Sequence, residues 1–264
     1  MALPIELIST DFDGTLHADF EDPPVAPDLE QLIKKLQGQG TKWVINTGRD
    51  LSSLMESVGR ARLSIRPDYV VVVEREIYEL RESQYLGLRG WNDQCSEAHM
   101  ELFGGISSFV PELKNWINSR FKAILYEDNY SPLCLIAENN SDADAIHQYL
   151  TAFAAKIPDL AVVRNDVYAR FSHTAFNKGT ALQEIARRHA ITTDKILAAG
   201  DHLNDLPMLR SDVARWLVAP MNAIPEVKQH VLEQGGYVSR QSFGWGVARG
   251  LEKALGEFVE ESNA

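Results

Sequence analysis

Residues 8–15 read Ile-Ser-Thr-Asp-Phe-Asp-Gly-Thr. The stretch begins as a β-strand and stops at Asp11, Asp13 and Gly14, because aspartate and glycine are poor strand residues. In an open α/β sheet the ligand crevice lies at the carboxyl ends of the strands. Two carboxylates at that edge can hold a hard cation such as Mg²⁺, or they can divide a displacement between a nucleophile and a proton carrier. Asp-x-Asp-Gly is also typical of a simple turn, so the assignment depends on later segments.

Two later strands are also predicted to end in polar residues. Residues 42–46 form one of them, and Thr47 and Gly48 follow it directly, ahead of a helical stretch. Backbone N–H groups at such a helix start can bind an anion. Residues 195–199 form the other strand, and the segment after it, Gly-Asp-His-Leu-Asn-Asp, is rich in oxygen ligands. An ordinary strand-to-helix turn would explain Thr47 and Gly48, but two carboxylates and an amide at a further strand end are more specific.

A lysine begins a predicted amphipathic helix. Lys178 precedes apolar residues at helical spacing, which places it in the first helical turn. Helix N-termini favour anions over cations, so a lysine there is electrostatically unusual. An exposed lysine is the simple interpretation, and a lysine that reaches an anionic ligand fits better.

Together these parts are typical of Mg²⁺-assisted phosphoryl transfer. In their order along the chain they resemble the four motifs of the haloacid dehalogenase-like hydrolases, in particular the Cof-like sugar-phosphatase branch. The four segments are Asp-Phe-Asp-Gly-Thr at 11–15, Thr-Gly-Arg at 47–49, Lys178, and Gly-Asp-His-Leu-Asn-Asp at 200–205. Many relatives in that branch carry Asn-Gly-Ala after the third core strand, whereas residues 73–78 here read Val-Glu-Arg-Glu-Ile-Tyr.

The resemblance implies a role for each motif residue. Asp11 is the nucleophile that forms an aspartyl-phosphate, and Asp13 is the general acid and base. Mg²⁺ is held by Asp11, by the backbone carbonyl of Asp13 and by Asp201, while Asp205 orients either Lys178 or a metal-bound water. The residues implied to hold the phosphoryl oxygens are Phe12 (through its backbone N–H), Thr47, Gly48, Lys178 and Asn204. Arg49 is interpreted as half of a structural ion pair, and His202 as a loop residue.

The order of predicted elements indicates an α/β fold with an insertion. Strand and helix patterns alternate up to about residue 80 and again from residue 180. The second stretch includes a predicted helix over 203–209. The predicted strands are continuously apolar, which is typical of a parallel sheet buried on both faces. We therefore predict a Rossmann-like core from residues 1–81 and 170–264. Residues 82–169 contain two strand pairs and two helices, which predicts a smaller α+β domain. By resemblance this domain is a C2-type cap.

Bulk properties restrict the partners. The formal net charge of −11 argues against nucleic acid or an anionic membrane surface. Neither a signal peptide nor a membrane span is recognisable, so a cytoplasmic location is expected. Cys95 and Cys134 have no metal or redox spacing and are interpreted as reduced packing thiols, with a disulfide as the alternative. The sequence leaves the oligomeric state open.

Three functions are consistent with these motifs. The leading hypothesis is a Mg²⁺-dependent phosphatase for a small phosphomonoester, in particular a sugar phosphate. A phosphomutase would use the same phospho-enzyme but return the phosphoryl group to a second hydroxyl. A catalytically silent ligand-binding protein with the same fold is the alternative from another class, although Asp11, Asp13, Lys178 and Asp201 are all present.

Overall fold

The computed structural model describes residues 4–256, and the chain forms two compact units. One unit is built from the chain up to Leu88 and again from Lys178, and the other is Arg89–Asn177. The strands are β1 (Leu7–Thr10), β2 (Lys42–Asn46), β3 (Tyr69–Val72), β4 (Glu76–Arg81), β5 (Gln84–Gly87), β6 (Ala123–Asp128), β7 (Ser131–Ala137), β8 (Leu160–Asn165), β9 (Tyr168–His173), β10 (Ile196–Ala199), β11 (Trp216–Ala219) and β12 (Tyr237–Val238). The helices are α1 (Pro27–Gln39), α2 (Leu51–Ala61), α3 (Arg89–Ile106), α4 (Val110–Asn118), α5 (Asn140–Ala154), α6 (Lys178–Arg188), α7 (Pro225–Glu233) and α8 (Phe243–Leu255).

The first unit is organised around an eight-stranded sheet. Its strand order is β12-β11-β10-β1-β2-β3-β4-β5, and the pairs from β12 to β3 are parallel. Every residue of β1, β3 and β10 is buried, as the continuous apolar runs predict for strands covered on both faces. The predicted Rossmann-like α/β core is therefore confirmed.

The strand register determines where the motif segments meet. Thr10 at the end of β1 pairs with Ala199 at the end of β10 on one side and with Ile45 of β2 on the other. The segments that begin at Asp11, Thr47 and Gly200 therefore leave the sheet at nearly the same level. Strand β2 lies on one side of β1 and β10 lies on the other. The carboxyl edge beside β1 is therefore the switch point at which open α/β sheets bind ligands.

The second unit contains a four-stranded antiparallel sheet of order β6-β7-β9-β8 and the helices α3, α4 and α5. Both predicted strand pairs are present as β6–β7 and β8–β9. Apolar residues of the helices and strands form its core; among them are Ile117, Leu135, Ile146 and Phe171. Helix α3 was not expected from the sequence, because its buried positions include Cys95 and His99 rather than a run of aliphatic residues.

Two details of the predicted organisation differ from the structure. The units divide at Leu88/Arg89 and Asn177/Lys178, whereas the prediction placed the insertion at 82–169. The β4–β5 hairpin accounts for the first shift, because Tyr78 pairs with Gly87 and β4 pairs with β3 of the core sheet. The predicted helix over 203–209 is wrong, because only a 3-10 turn at Leu203–Asp205 forms. Pro207 cannot donate the backbone hydrogen bond that an α-helix needs at that point.

The cysteines and the lengths of the helices bear on the predicted environment of the chain. Cys95 and Cys134 are both free and buried, as expected for packing thiols. Within residues 4–256, the helices are all too short or too polar to cross a membrane. The cytoplasmic location stays a prediction.

Candidate active site

A buried lysine lies at the centre of the strand-end cluster. Lys178 is the first residue of α6, and its side chain is completely buried. Its Nζ donates to Asp11 Oδ1 at 2.6 Å and to Asp205 Oδ1 at 2.6 Å. Burial disfavours the charged amine, but the carboxylates of Asp11, Asp205 and Glu74 outweigh that penalty and raise the pKa of Lys178. The lysine at this helix start therefore reaches anionic partners instead of lying exposed.

Asp205 joins the lysine to the loop that follows β10. While its Oδ1 accepts from Lys178, its Oδ2 accepts from the backbone N–H groups of Asp201 at 2.8 Å and His202 at 3.0 Å. Gly200 is required beside it, because a Cβ at that position would lie 2.5 Å from the Asp205 Cβ. Asp205 thus bonds the lysine with one oxygen and the loop after β10 with the other.

Three carboxylates converge beside this lysine. Asp11, Asp201 and Asp205 each offer one oxygen, and these oxygens lie within 4.8 Å of one another. Burial raises the pKa of Asp11 well above its usual range, against the opposing effect of Lys178. Burial and the neighbouring Asp205 raise the pKa of Asp201 to about 7. One lysine does not balance this negative charge, and an oxygen-only ligand set with excess charge suits a hard divalent cation.

The Asp201 carboxylate is oriented from the first motif. Thr15 Oγ1 donates to Asp201 Oδ1 at 2.6 Å. No role was predicted for Thr15, although its place at the end of Asp-Phe-Asp-Gly-Thr was the available signal. Asp11, Lys178, Asp201 and Asp205 are therefore brought together as predicted.

Asp13 lies in a different environment. Both of its carboxylate oxygens accept from Arg49: Nε to Oδ2 at 2.7 Å and Nη2 to Oδ1 at 2.7 Å. The predicted ion pair of Arg49 is thus present, and its partner is the predicted general acid and base. The Phe12 side chain is fully buried and packs against the Arg49 guanidinium, 5.6 Å from its ring centre.

Three of the predicted phosphoryl-binding residues lie beside a glutamate for which no role was predicted. Glu74 is 4% exposed, and its Oε1 accepts from Asn204 Nδ2 at 3.0 Å. A Cβ at Gly48 would lie 3.2 Å from the same oxygen. The Glu74 backbone N–H donates to the Thr47 carbonyl at 2.9 Å. Glu74 therefore links Thr47, Gly48 and Asn204, and the available signal was the Val-Glu-Arg-Glu departure at 73–76.

The family of the chain follows from its similarity to known sequences. Residues 109–242, just over half of the chain, match the sequence model of the haloacid dehalogenase-like hydrolases. The chain belongs to this family. Residues 4–106 of this hydrolase also match the model described as sucrose-6F-phosphate phosphohydrolase.

Individual relatives agree with this membership. A phosphoglycolate phosphatase of Methanothrix thermoacetophila is 27% identical over 153 residues, which cover 58% of this hydrolase and 64% of the relative. YxeH of Bacillus subtilis, named as a candidate phosphatase, is 22% identical with 95% of this chain and 98% of its own length covered. The structure of the sucrose-phosphatase from Synechocystis sp. PCC6803 with sucrose and phosphate superimposes with a TM-score of 0.71 at 20% identity, covering 96% of this chain and 98% of that one.

Gly14 in this hydrolase cannot carry a side chain without moving Asp201. Its φ is +78°, and a Cβ there would overlap the Asp201 carboxylate. We expect Gly14→Ala to lower the free energy of unfolding by about 1–3 kcal/mol, because it combines backbone strain with overpacking. Urea denaturation measures the loss, and calorimetric titration with Mg²⁺ should show weaker binding.

Gly38→Ala is the matched control, because Gly38 lies in α1 with open space where its Cβ would be. This change should leave Mg²⁺ binding unaltered and stabilise the helix slightly. If Gly14→Ala bound Mg²⁺ as the wild type does, the predicted displacement of Asp201 would be wrong.

Proposed function

We propose that this hydrolase removes the phosphoryl group from a small polar phosphomonoester, in particular a sugar phosphate, through an aspartyl-phosphate on Asp11. The observation that carries the proposal is the buried Lys178 between Asp11 and Asp205, beside a further carboxylate of Asp201. A nucleophilic carboxylate, the Lys178 ammonium group and further carboxylates that could bind a metal ion then lie at one edge of the sheet. The enzyme class, a phosphoric monoester hydrolase, is supported by the family and by the phosphatase names of relatives.

Mg²⁺ is the cofactor that fits these residues. Asp11, Asp201 and the backbone carbonyl of Asp13 would hold it, while Asp205 lies in the same cluster and bonds Lys178. Bound there, Mg²⁺ would offset charge on the phosphoryl oxygens. The unbalanced charge of the three carboxylates supports this assignment.

The chain's own groups account for both displacements. The Asp11 carboxylate attacks phosphorus, the bond from phosphorus to the leaving oxygen breaks, and Asp13 gives its proton to that oxygen. The Asp13 carboxylate then takes a proton from the water that attacks the aspartyl-phosphate. Inorganic phosphate leaves and the Asp11 carboxylate is restored. Lys178 keeps Asp11 oriented and stands ready to donate to a phosphoryl oxygen.

The inserted unit is proposed to determine specificity. We assign Arg89–Asn177 as the C2-type cap by resemblance to the family, in which this insertion lies between the second and third motifs. A cap selects the leaving group and excludes water during the reaction. The sugar-phosphate class is supported by the sucrose-6F-phosphate phosphohydrolase match and by the sucrose-phosphatase that shares the fold.

The acid–base assignment predicts a large effect of Asp13→Asn. The amide cannot give or take the proton, whereas the backbone carbonyl is unchanged. We expect kcat/KM for a poor leaving group to fall by ~10²–10⁴-fold. Phosphate release from phenyl phosphate in the presence of Mg²⁺ measures this fall. If kcat/KM fell by less than about tenfold, Asp13 would not be the general acid and base.

A panel of phosphorylated metabolites tests the function as a whole. Sugar phosphates, phosphoglycolate and p-nitrophenyl phosphate are incubated with the enzyme and Mg²⁺, with a chelator as the control. Release of inorganic phosphate is expected, and it should stop when the metal is removed. Positional isomers of a sugar phosphate without free phosphate would indicate a phosphomutase. No turnover of any ester would favour the silent ligand-binding alternative.

A further inference from the structure

The Arg49 side chain, which bonds the Asp13 carboxylate, is itself held in place by other side chains. The Arg49 guanidinium contacts Asp13 through two parallel N–H···O bonds, and its remaining nitrogen, Nη1, donates to Ser53 Oγ at 3.2 Å and to Ser57 Oγ at 2.9 Å. The two serines are four residues apart on α2, so they present one face to the guanidinium. All three nitrogens of the fork are therefore engaged, and its orientation is determined from two sides.

The backbone of Arg49 is held as well. Its N–H donates to Thr47 Oγ1 at 3.2 Å, and its carbonyl accepts from the Val73 N–H at 2.9 Å. The side chains of Arg49 and Asp13 are only 29% and 32% exposed. A rigidly anchored, partly desolvated fork fixes the direction of a carboxylate more firmly than a flexible surface ion pair does.

We propose that Arg49 is a positioning residue, which holds the Asp13 carboxylate in the direction needed for proton transfer to the leaving oxygen. Each carboxylate oxygen has two lone pairs, and the fork uses one on each. A lone pair therefore remains for the proton that Asp13 gives and takes. This inference rests on the proposed acid–base role of Asp13. His17 and Asp19 also face Asp13, with one ligand atom of each residue within 4.8 Å of the others, but the two-point contact comes from Arg49.

A matched pair of substrates separates positioning from binding. Phenyl phosphate and p-nitrophenyl phosphate have similar shapes, but phenoxide is the poorer leaving group and needs its proton. The ratio kcat/KM reports on steps up to aspartyl-phosphate formation, so it isolates this protonation. We expect Arg49→Ala to lower kcat/KM for phenyl phosphate by about 10- to 100-fold and for p-nitrophenyl phosphate by much less. Arg49→Lys should lose nearly as much, because lysine cannot form the two-point contact.

A double-mutant cycle tests whether Arg49 acts through Asp13. In an Asp13→Asn background there is no acid to position, so Arg49→Ala should add less than about a threefold further loss with phenyl phosphate. The Ser53→Ala/Ser57→Ala variant should lose less of its kcat/KM than Arg49→Ala does, and the loss should again be larger for phenyl phosphate than for p-nitrophenyl phosphate. Arg60→Ala is the control, because Arg60 lies on the same helix but pairs with Glu56 on the exposed surface. Circular dichroism and urea denaturation verify that each variant is folded.

The outcomes that overturn the inference are distinct from those that overturn the proposed function. If Arg49→Ala lowers kcat/KM equally for both substrates, or by the same factor with and without the Asp13 carboxylate, Arg49 binds substrate directly and the positioning role is wrong. If Asp13→Asn itself leaves phenyl phosphate hydrolysis unaffected, the acid–base role fails first. Wild-type rates for Arg49→Lys would show that a positive charge alone suffices, and they would also overturn the positioning role.

Discussion

Asp11→Asn should keep the fold and nearly abolish phosphate release. The amide is a poor nucleophile and a weaker ligand for a divalent cation, so both displacements lose their central group. Nucleophile removal in hydrolases costs on the order of 10⁴-fold or more in turnover, and we expect a loss of that size. The measurement is steady-state release of inorganic phosphate from the best substrate of the panel, at saturating Mg²⁺.

Stability should respond differently from activity in this variant. Asp11 is one of three clustered carboxylates, and Lys178 keeps its bond to Asp205 after the change. The free energy of unfolding is therefore expected to stay near the wild-type value or to rise. Asp28→Asn, at an exposed position in α1, controls for the loss of a negative charge and should keep full activity. Substantial turnover by a folded Asp11→Asn enzyme would show that another group attacks phosphorus.

Lys178→Met should have the largest effect on stability. The change leaves Asp11 and Asp205 buried without the cation that bonds both of them at 2.6 Å. Removing one member of a buried ion pair typically costs about 3–5 kcal/mol, a large part of the stability of a typical domain. Activity should fall to background at the same time. Urea denaturation in a metal-free buffer measures the free energy of unfolding.

The dependence of this loss on pH follows from the direction of the Asp11 pKa. Burial already raises that pKa, and Lys178 opposes the rise. Without the lysine, the Asp11 carboxyl group of the folded state keeps its proton to a higher pH than the same group of the unfolded chain does. The variant should therefore lose further stability as pH rises through the range between the unfolded and folded pKa values, and regain it in mild acid.

A second substitution tests this explanation. Asp205→Asn in the Lys178→Met background removes one uncompensated carboxylate and should recover part of the lost stability, although not the activity. Lys122→Met is the surface control, because Lys122 is 84% exposed on its side chain. If Lys178→Met were as stable as the wild type across this pH range, the charge cluster would contribute little to folding.

Much of the fold could be predicted from short, continuously apolar strands. The prediction over 42–46 coincides with β2, and β1, β3 and β10 were located to within a few residues. Such strands need both faces covered, so their sequence alone identifies a parallel α/β core. Helix α3 shows the limit of this reasoning, because a helix with cysteine and histidine on its buried face lacks the aliphatic period that predicts helices.

The sequence by itself determined the candidate chemistry. The aspartates after β1 and β10 follow neighbouring parallel strands, so they leave the same edge of the sheet, and Lys178 was predicted to reach an anionic ligand. Only the tertiary structure decided how these groups are paired: Lys178 between Asp11 and Asp205, Asp13 with Arg49, and Glu74 with Asn204. The reason is physical. These partners lie up to 167 residues apart in the chain, and their contacts depend on strand register and side-chain direction, which local patterns do not record.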